Sequence, residues 1–183
     1  MPAESLVVLD ACVLAPFSTC DLFLRLAEEP RLYLPRWSAQ ILDEVRRTQI
    51  GKLGWPERLA DYWRQQVTAS FPEALITGHE FLVAQCHNRE EDRHVLAAAI
   101  KIQAGTIITF NVRHFAAKAL APHAIVAHHP ADYLCALCDE DPAAVVSRVR
   151  DIAARRDLAP VEVLRRLGGP IPRFARHLAA LQG

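Results

Sequence analysis

The chain has 183 residues, 51% hydrophobic and 23% charged, the balance of a folded globular protein and not of a disordered one. Its 21 basic and 21 acidic residues cancel, which excludes a protein that coats nucleic acid through bulk positive charge. No apolar run reaches the ~18–20 residues needed to cross a bilayer, and MPAESLVVLD lacks the basic start and cleavage pattern of a signal peptide.

Ser5–Asp10, SLVVLD, predicts a buried strand that ends in a carboxylate. A helical stripe follows over Asp21–Glu29, carried by Leu22, Phe23, Leu26 and Ala27. Leu32–Leu34 predicts a short strand stopped by Pro35, and Ser38 fits an N-cap for a helix bearing Ile41, Leu42 and Val45. Pro56 opens a helix to about Ala69, and Ala74–Thr77 predicts a strand. Glu90–Gln103 is the most regular helical pattern, Ala-rich and closed by Gly105 as C-cap. Thr106–Phe110 predicts a second buried strand, Ala116–Leu120 a short helix and Ala124–Ala127 a last strand. Strand and helix in alternation imply an α/β fold with a central parallel sheet covered on both faces.

From about Asp139 no strand pattern appears. Three helices are predicted there, Pro142–Arg156, Pro160–Leu167 and Pro172–Leu181, each opened by a proline, which the first helical turn tolerates. Residues 1–134 and 139–183 therefore read as an α/β domain and a small all-helical C-terminal domain. The second holds 8 Arg against 6 acids and is mildly basic.

Three acids stand where a purely structural protein rarely places them. Asp10 closes the first strand, and the carboxyl ends of parallel strands form the crevice where ligands bind; capping of the next turn is the other reading. At ~100° per residue, Glu44 lies ~60° from Ile41 and borders the buried helix face, while Asp43 points to solvent. A boundary residue paired with Arg47 or Thr48 would look the same. Asp92 falls between Val95 and Leu96 on the helical wheel, at the centre of the buried face and near the positive helix end. There it either caps the helix or serves a site. Inward acids on separate elements repel one another unless a cation joins them. Oxygen donors without a His or Cys framework select Mg²⁺ or Mn²⁺ over zinc, and such an ion suits phosphodiester hydrolysis. Asp10 and Asp92 are then direct or water-mediated metal ligands, and Glu44 orients or deprotonates the attacking water. Arg36, Arg93 and Arg113 lie near this predicted site and are candidates to hold substrate phosphates, or else form surface ion pairs.

VVLDACVL, RWSAQILDEV and above all EDRHVLAAAIKIQAGTIITFNVRHF resemble the PIN-domain family, and within it the VapC-type ribonuclease toxins with an additional helical C-terminal domain. The resemblance covers about residues 6–134, with the helical tail fitting more loosely. It implies a PIN-like three-layer sandwich, Mg²⁺- or Mn²⁺-dependent cleavage of RNA, a cognate antitoxin and a homodimer. The family's three acids fall on Asp10, Glu44 and Asp92, and its Thr-x-Asn on Thr109 and Asn111. Many relatives carry Asp before the motif's Phe, where this chain has His114. Either Asn111 or His114 then serves in place of a fourth acid, or that contact is lost, and one tight metal is favoured over two.

Other readings are weaker. His128, His129, Cys135 and Cys138 invite zinc, but the cysteines sit at helical spacing beside Leu134 and Leu137, as buried thiols do. Cys12 lacks the basic partner of a nucleophile. Five cysteines are an odd set, which argues for reduced thiols and a cytoplasmic location. Trp37, Trp55 and Trp63 are expected as core or interface anchors. A non-catalytic PIN-like binding module with a decayed site is the alternative function. The tail is expected to flank the RNA groove or to offer an antitoxin or dimer surface.

Overall fold

A computed structural model describes residues 5–181; the first four residues of the expected 1–134 domain and the last two of the expected 139–183 domain lie outside it. The apolar run Leu6–Leu9 forms β1, with Val7, Val8 and Leu9 all at 0% exposure. Helices α1 (Ala11–Leu14) and α2 (Phe17–Leu26) follow at once. The second starts four residues before the predicted Asp21, because Thr19 and Cys20 join Phe23 and Leu26 on its buried face.

β2 spans Leu34–Ser38, so Pro35 lies inside the strand it was expected to stop. Parallel pairing explains why. The Leu34 N–H donates to Ser5 O at 2.9 Å, so alternation turns the Pro35 nitrogen away from β1. On that far side the pairing with β3 (Leu75–Ile76) begins only at Trp37, and no ladder bond is lost. Trp37 itself is fully buried and packs edge-on against Phe71 at 5.9 Å. Ser38 caps α3 (Ala39–Gly51) as expected, accepting from Ile41 N at 3.2 Å, and α4 (Glu57–Ser70) begins after Pro56.

The long helical pattern divides into a 3₁₀ turn, Glu90–Asp92, and α5, Arg93–Lys101. Its C-terminus is closed at Gln103, with φ at 54°, and not at Gly105. Ala104 N reaches back to Ala99 O at 3.0 Å and satisfies a carbonyl of the last turn. β4 (Thr106–Ile108), α6 (Ala117–Leu120) and β5 (Val126–His128) complete a five-stranded parallel sheet in the order β3-β2-β1-β4-β5. Helices cover both sides of this sheet, the arrangement of a PIN-like sandwich.

Four helices form the tail: α7 (Pro130–Glu140), α8 (Pro142–Arg155), α9 (Pro160–Leu167) and α10 (Pro172–Ala180). Three were expected. α7 carries the chain across residues 134–139, with Tyr133, Leu134, Leu137 and Cys138 buried on its inner face. α8 lies on α2, where Arg156 pairs with Asp21 at 2.6 Å and Arg148 donates to the carbonyls of Glu28 and Pro30. Val145, Val149, Phe174 and Leu178 belong to the same contiguous buried cluster as Val7 and Leu9. Among the described residues no helix is long and apolar enough to cross a membrane.

Candidate active site

In this strand order the chain runs outward from β1 on one side and from β4 on the other, so the β1–β4 boundary is the switch point of the sheet. Crevices for ligands open there, beyond the carboxyl ends of the strands. Asp10 is the first residue beyond β1, its backbone N–H donating to Ile108 O of β4 at 3.0 Å. Its carboxylate is only 3% exposed and does not cap α1. It accepts instead from Thr109 Oγ1 at 2.6 Å and from Cys12 Sγ at 3.1 Å, both on Oδ2. Thr109 is fully buried, and its oxygen in turn accepts from Asn111 N at 3.0 Å. A buried carboxylate needs such donors to stay in place.

Cys12 is part of this network as a donor, not as a nucleophile. Burial and the neighbouring Asp10 charge push its thiol up to about 12, so it keeps its proton at neutral pH.

Asp92 stands at the junction of the 3₁₀ turn and α5 and, like Asp10, makes no side-chain cap bond. Its Oδ2 lies 2.8 Å from His114 Nδ1, both side chains being 14% exposed. Burial first, and then the charge of Asp10, raise its pKa above the usual carboxylate range, against the opposing pull of His114. Asp10 and Asp92 line the same pocket, near enough for the charge of one to act on the other.

Glu44 projects from α3 at the edge of the buried face, as its helical phase requires. Its Oε1 lies 3.6 Å from Arg47 Nη2 and 3.3 Å from Nε2 of the buried His94. The His94 contact is in ion-pair range without hydrogen-bond alignment. Asp10, Glu44, Asp92 and Asn111 thus come together on one open pocket of about 380 Å³, whose remaining wall includes Cys12, Arg47, Thr48 and Lys52. Thr109 and His114 stand behind it, each holding one acid.

The three arginines expected at RNA phosphates are placed elsewhere. Arg36 donates to Pro35 O at 2.9 Å and has Glu73 and Arg31 as its charged neighbours. Arg93 turns towards Asn88 O, and Arg113 borders an apolar hollow with Phe115, Leu120 and Ile125. The basic groups on the pocket are Arg47 and Lys52. The helical phase that exposes Glu44 could have found them, since they fall ~60° and ~80° to either side of it. His94 left no such signal, because its partner is on another helix.

Hard oxygen donors of this kind suit a cation of the Mg²⁺ class, which keeps several waters and commonly takes only one or two carboxylates. The donor bonds to Asp10 and to Asp92 fall on Oδ2, which leaves Oδ1 of each as the oxygen open to a ligand. Among the described residues, no group of three or more His, Cys, Asp or Glu side chains is arranged to enclose an ion. Asp10 and Asp92 thus offer one open carboxylate oxygen each, a donor number that suits a cation keeping most of its waters.

The chain is 37% identical over 140 residues to a Mycobacterium tuberculosis protein named "Putative ribonuclease VapC50", a match spanning 70% of this chain and 82% of that relative. No family model and no solved structure matches the chain.

Proposed function

This chain belongs to the VapC-type PIN-domain family, and from that we propose that it is a metal-dependent endoribonuclease, the toxin of a toxin–antitoxin pair. One observation carries the reading: three acids from three separate elements share a pocket at the switch point of the sheet. Asp10 and Asp92 would hold Mg²⁺ or Mn²⁺, which when bound neutralises the facing carboxylates and stabilises charge on the phosphoryl group. Arg47 and Lys52 take phosphodiester oxygens of the RNA at the rim. Glu44, a quarter exposed between Arg47 and His94, accepts the proton of a water entering the pocket. Asn111 offers its amide to that water or to the scissile phosphate. RNA is the substrate and an antitoxin protein the partner in this reading, with a homodimer as the expected assembly.

The test is incubation of the purified chain with a structured RNA in Mg²⁺, in Mn²⁺ and in EDTA, beside Asp92→Asn. Cleavage that needs the cation and is lost in the variant supports the reading. Cutting that survives both EDTA and Asp92→Asn would overturn it. RNA binding without any cutting would instead favour the non-catalytic module.

A further inference from the structure

His114 occupies the place of the fourth acid in the family pattern, and what it does there is decided by a residue outside that pattern. Arg89 Nη1 lies 2.9 Å from His114 Nε2, while His114 Nδ1 lies 2.8 Å from Asp92 Oδ2. The other two guanidinium nitrogens are occupied by Glu91, Nε to Oε2 at 2.8 Å and Nη2 to Oε1 at 3.0 Å. The backbone closes the pair, because Arg89 N donates to His114 O at 3.1 Å. A guanidinium has donors only and never loses its charge. An imidazole nitrogen facing it must therefore present its lone pair, which leaves the ring's single proton on Nδ1.

We propose that Arg89 is a positioning residue: by donating to Nε2 it fixes His114 as the Nδ1–H tautomer, which holds Asp92 by Oδ2 and leaves Oδ1 for the cation. The order Glu91–Arg89–His114–Asp92 runs from solvent inward, and each group fixes the next. An acid at position 114 would add a ligand charge. The neutral histidine adds a donor instead, and does for Asp92 what the Thr109 hydroxyl does for Asp10. The inference rests on the metal-site reading above for its consequence in catalysis, but not for the tautomer.

The experiment is ¹⁵N-detected NMR of the histidine rings in the full, metal-free chain, followed by Mn²⁺ titration of each variant. Wild type is expected to show His114 protonated on Nδ1, with Nε2 as a hydrogen-bond acceptor. In Arg89→Met the Nε2–H form should appear and Mn²⁺ affinity should fall by about 10-fold, the size usual for groups that orient metal ligands. Arg89→Lys, which retains a donor, should recover part of the loss. His114→Asn places an amide N–H near the Nδ1 position with no tautomer to choose. Adding Arg89→Met to it should then cost little further Mn²⁺ affinity, which a merely structural role for Arg89 would not produce. A wild-type ring protonated on Nε2 overturns the proposal even if every variant fails to fold. Equal Mn²⁺ affinity in wild type and Arg89→Met does the same. If the chain cuts no RNA at all, the ribonuclease reading fails while the ring spectrum still decides this one.

Discussion

Thr109 donates its hydroxyl proton to Asp10 at 2.6 Å across 99 residues of chain, in a setting where the threonine is wholly buried and the aspartate nearly so. The hydroxyl also accepts from Asn111 N and lies 3.4 Å from Cys12 Sγ, a longer and weaker contact than the one to the carboxylate. Thr109→Val keeps the shape and removes the donor. Leaving a buried acceptor short of a partner costs about 1–3 kcal/mol. Thr109→Val is expected to lose stability in that range in urea denaturation and to lose most RNA cleavage. Thr109→Ser should keep cleavage while losing about 0.8 kcal/mol for the missing methyl. A valine variant that cuts as fast as wild type would rule out a role for this bond in the site.

Arg47 and Lys52 carry the positive charge of the pocket. If they take phosphate oxygens, Arg47→Ala and Lys52→Ala should raise KM for RNA several-fold and change kcat less. The slope of log affinity against log salt should flatten by about 0.7 for each charge removed from a single-strand contact. Measurement of KM at three salt concentrations separates the cases. An unchanged salt slope in the double variant would mean that the phosphates are held elsewhere.

The raised pKa of Asp92 has a sign that can be tested. Its folded value lies above the ordinary 3.8 because of burial and the Asp10 charge, so the folded protein binds the proton more tightly than the unfolded chain. Across the window from about the ordinary value up to the raised one, this group makes stability fall as pH rises, and above it the penalty is fully present. Asp92→Asn removes the charge and can still accept from His114 Nδ1. The variant should therefore be more stable than wild type at pH 7 without metal, and the gap should narrow at pH 4. Mg²⁺ in large excess over its Kd, about 100-fold, should stabilise wild type by about 2.7 kcal/mol and leave Asp92→Asn behind. Urea titrations at the two pH values, with and without Mg²⁺, check each part.

Burial gives Cys12 a predictable chemistry. With its thiol at about 12, almost none is thiolate at pH 7.5, although the side chain lines the pocket. Alkylation by iodoacetamide in the native state should be far slower than for a free cysteine and should accelerate with rising pH. Mass spectrometry of the Cys12 peptide, native against urea-unfolded, reads this directly. Rapid native labelling at pH 7.5 would show that the thiol is not held as described.

Much of the site was legible because it depends on local rules. Asp10 stands after a run of β-branched and leucine residues, and Glu44 follows from the phase of a helix whose cap, Ser38, is plain in the sequence. Thr109 and Asn111 are recognisable from the motif. The misread positions are those fixed by tertiary geometry. Pro35 sits within β2 because its nitrogen faces a stretch not yet paired to β3, which is a property of register and not of proline. Gln103 takes the left-handed position at the end of α5 although glycine stands two residues later. The basic groups of the pocket stand outside the motifs, Arg47 on α3 and Lys52 at its C-cap. Arg89 could not be found from spacing, since its role depends on the ring nitrogen it meets in His114, 25 residues away.

The shared core of body and tail bears on any attempt to shorten this protein. Truncation at residue 139 would bare the α2 surface that α8 covers and would remove Val145, Val149, Phe174 and Leu178 from the interior. A protein cut there would expose an oily face of several leucines and aromatics and should aggregate on expression. Loss of RNA cleavage in such a fragment would then report failed folding, whereas exchanges of surface arginines on α8, α9 and α10 leave the core intact and test the tail by itself.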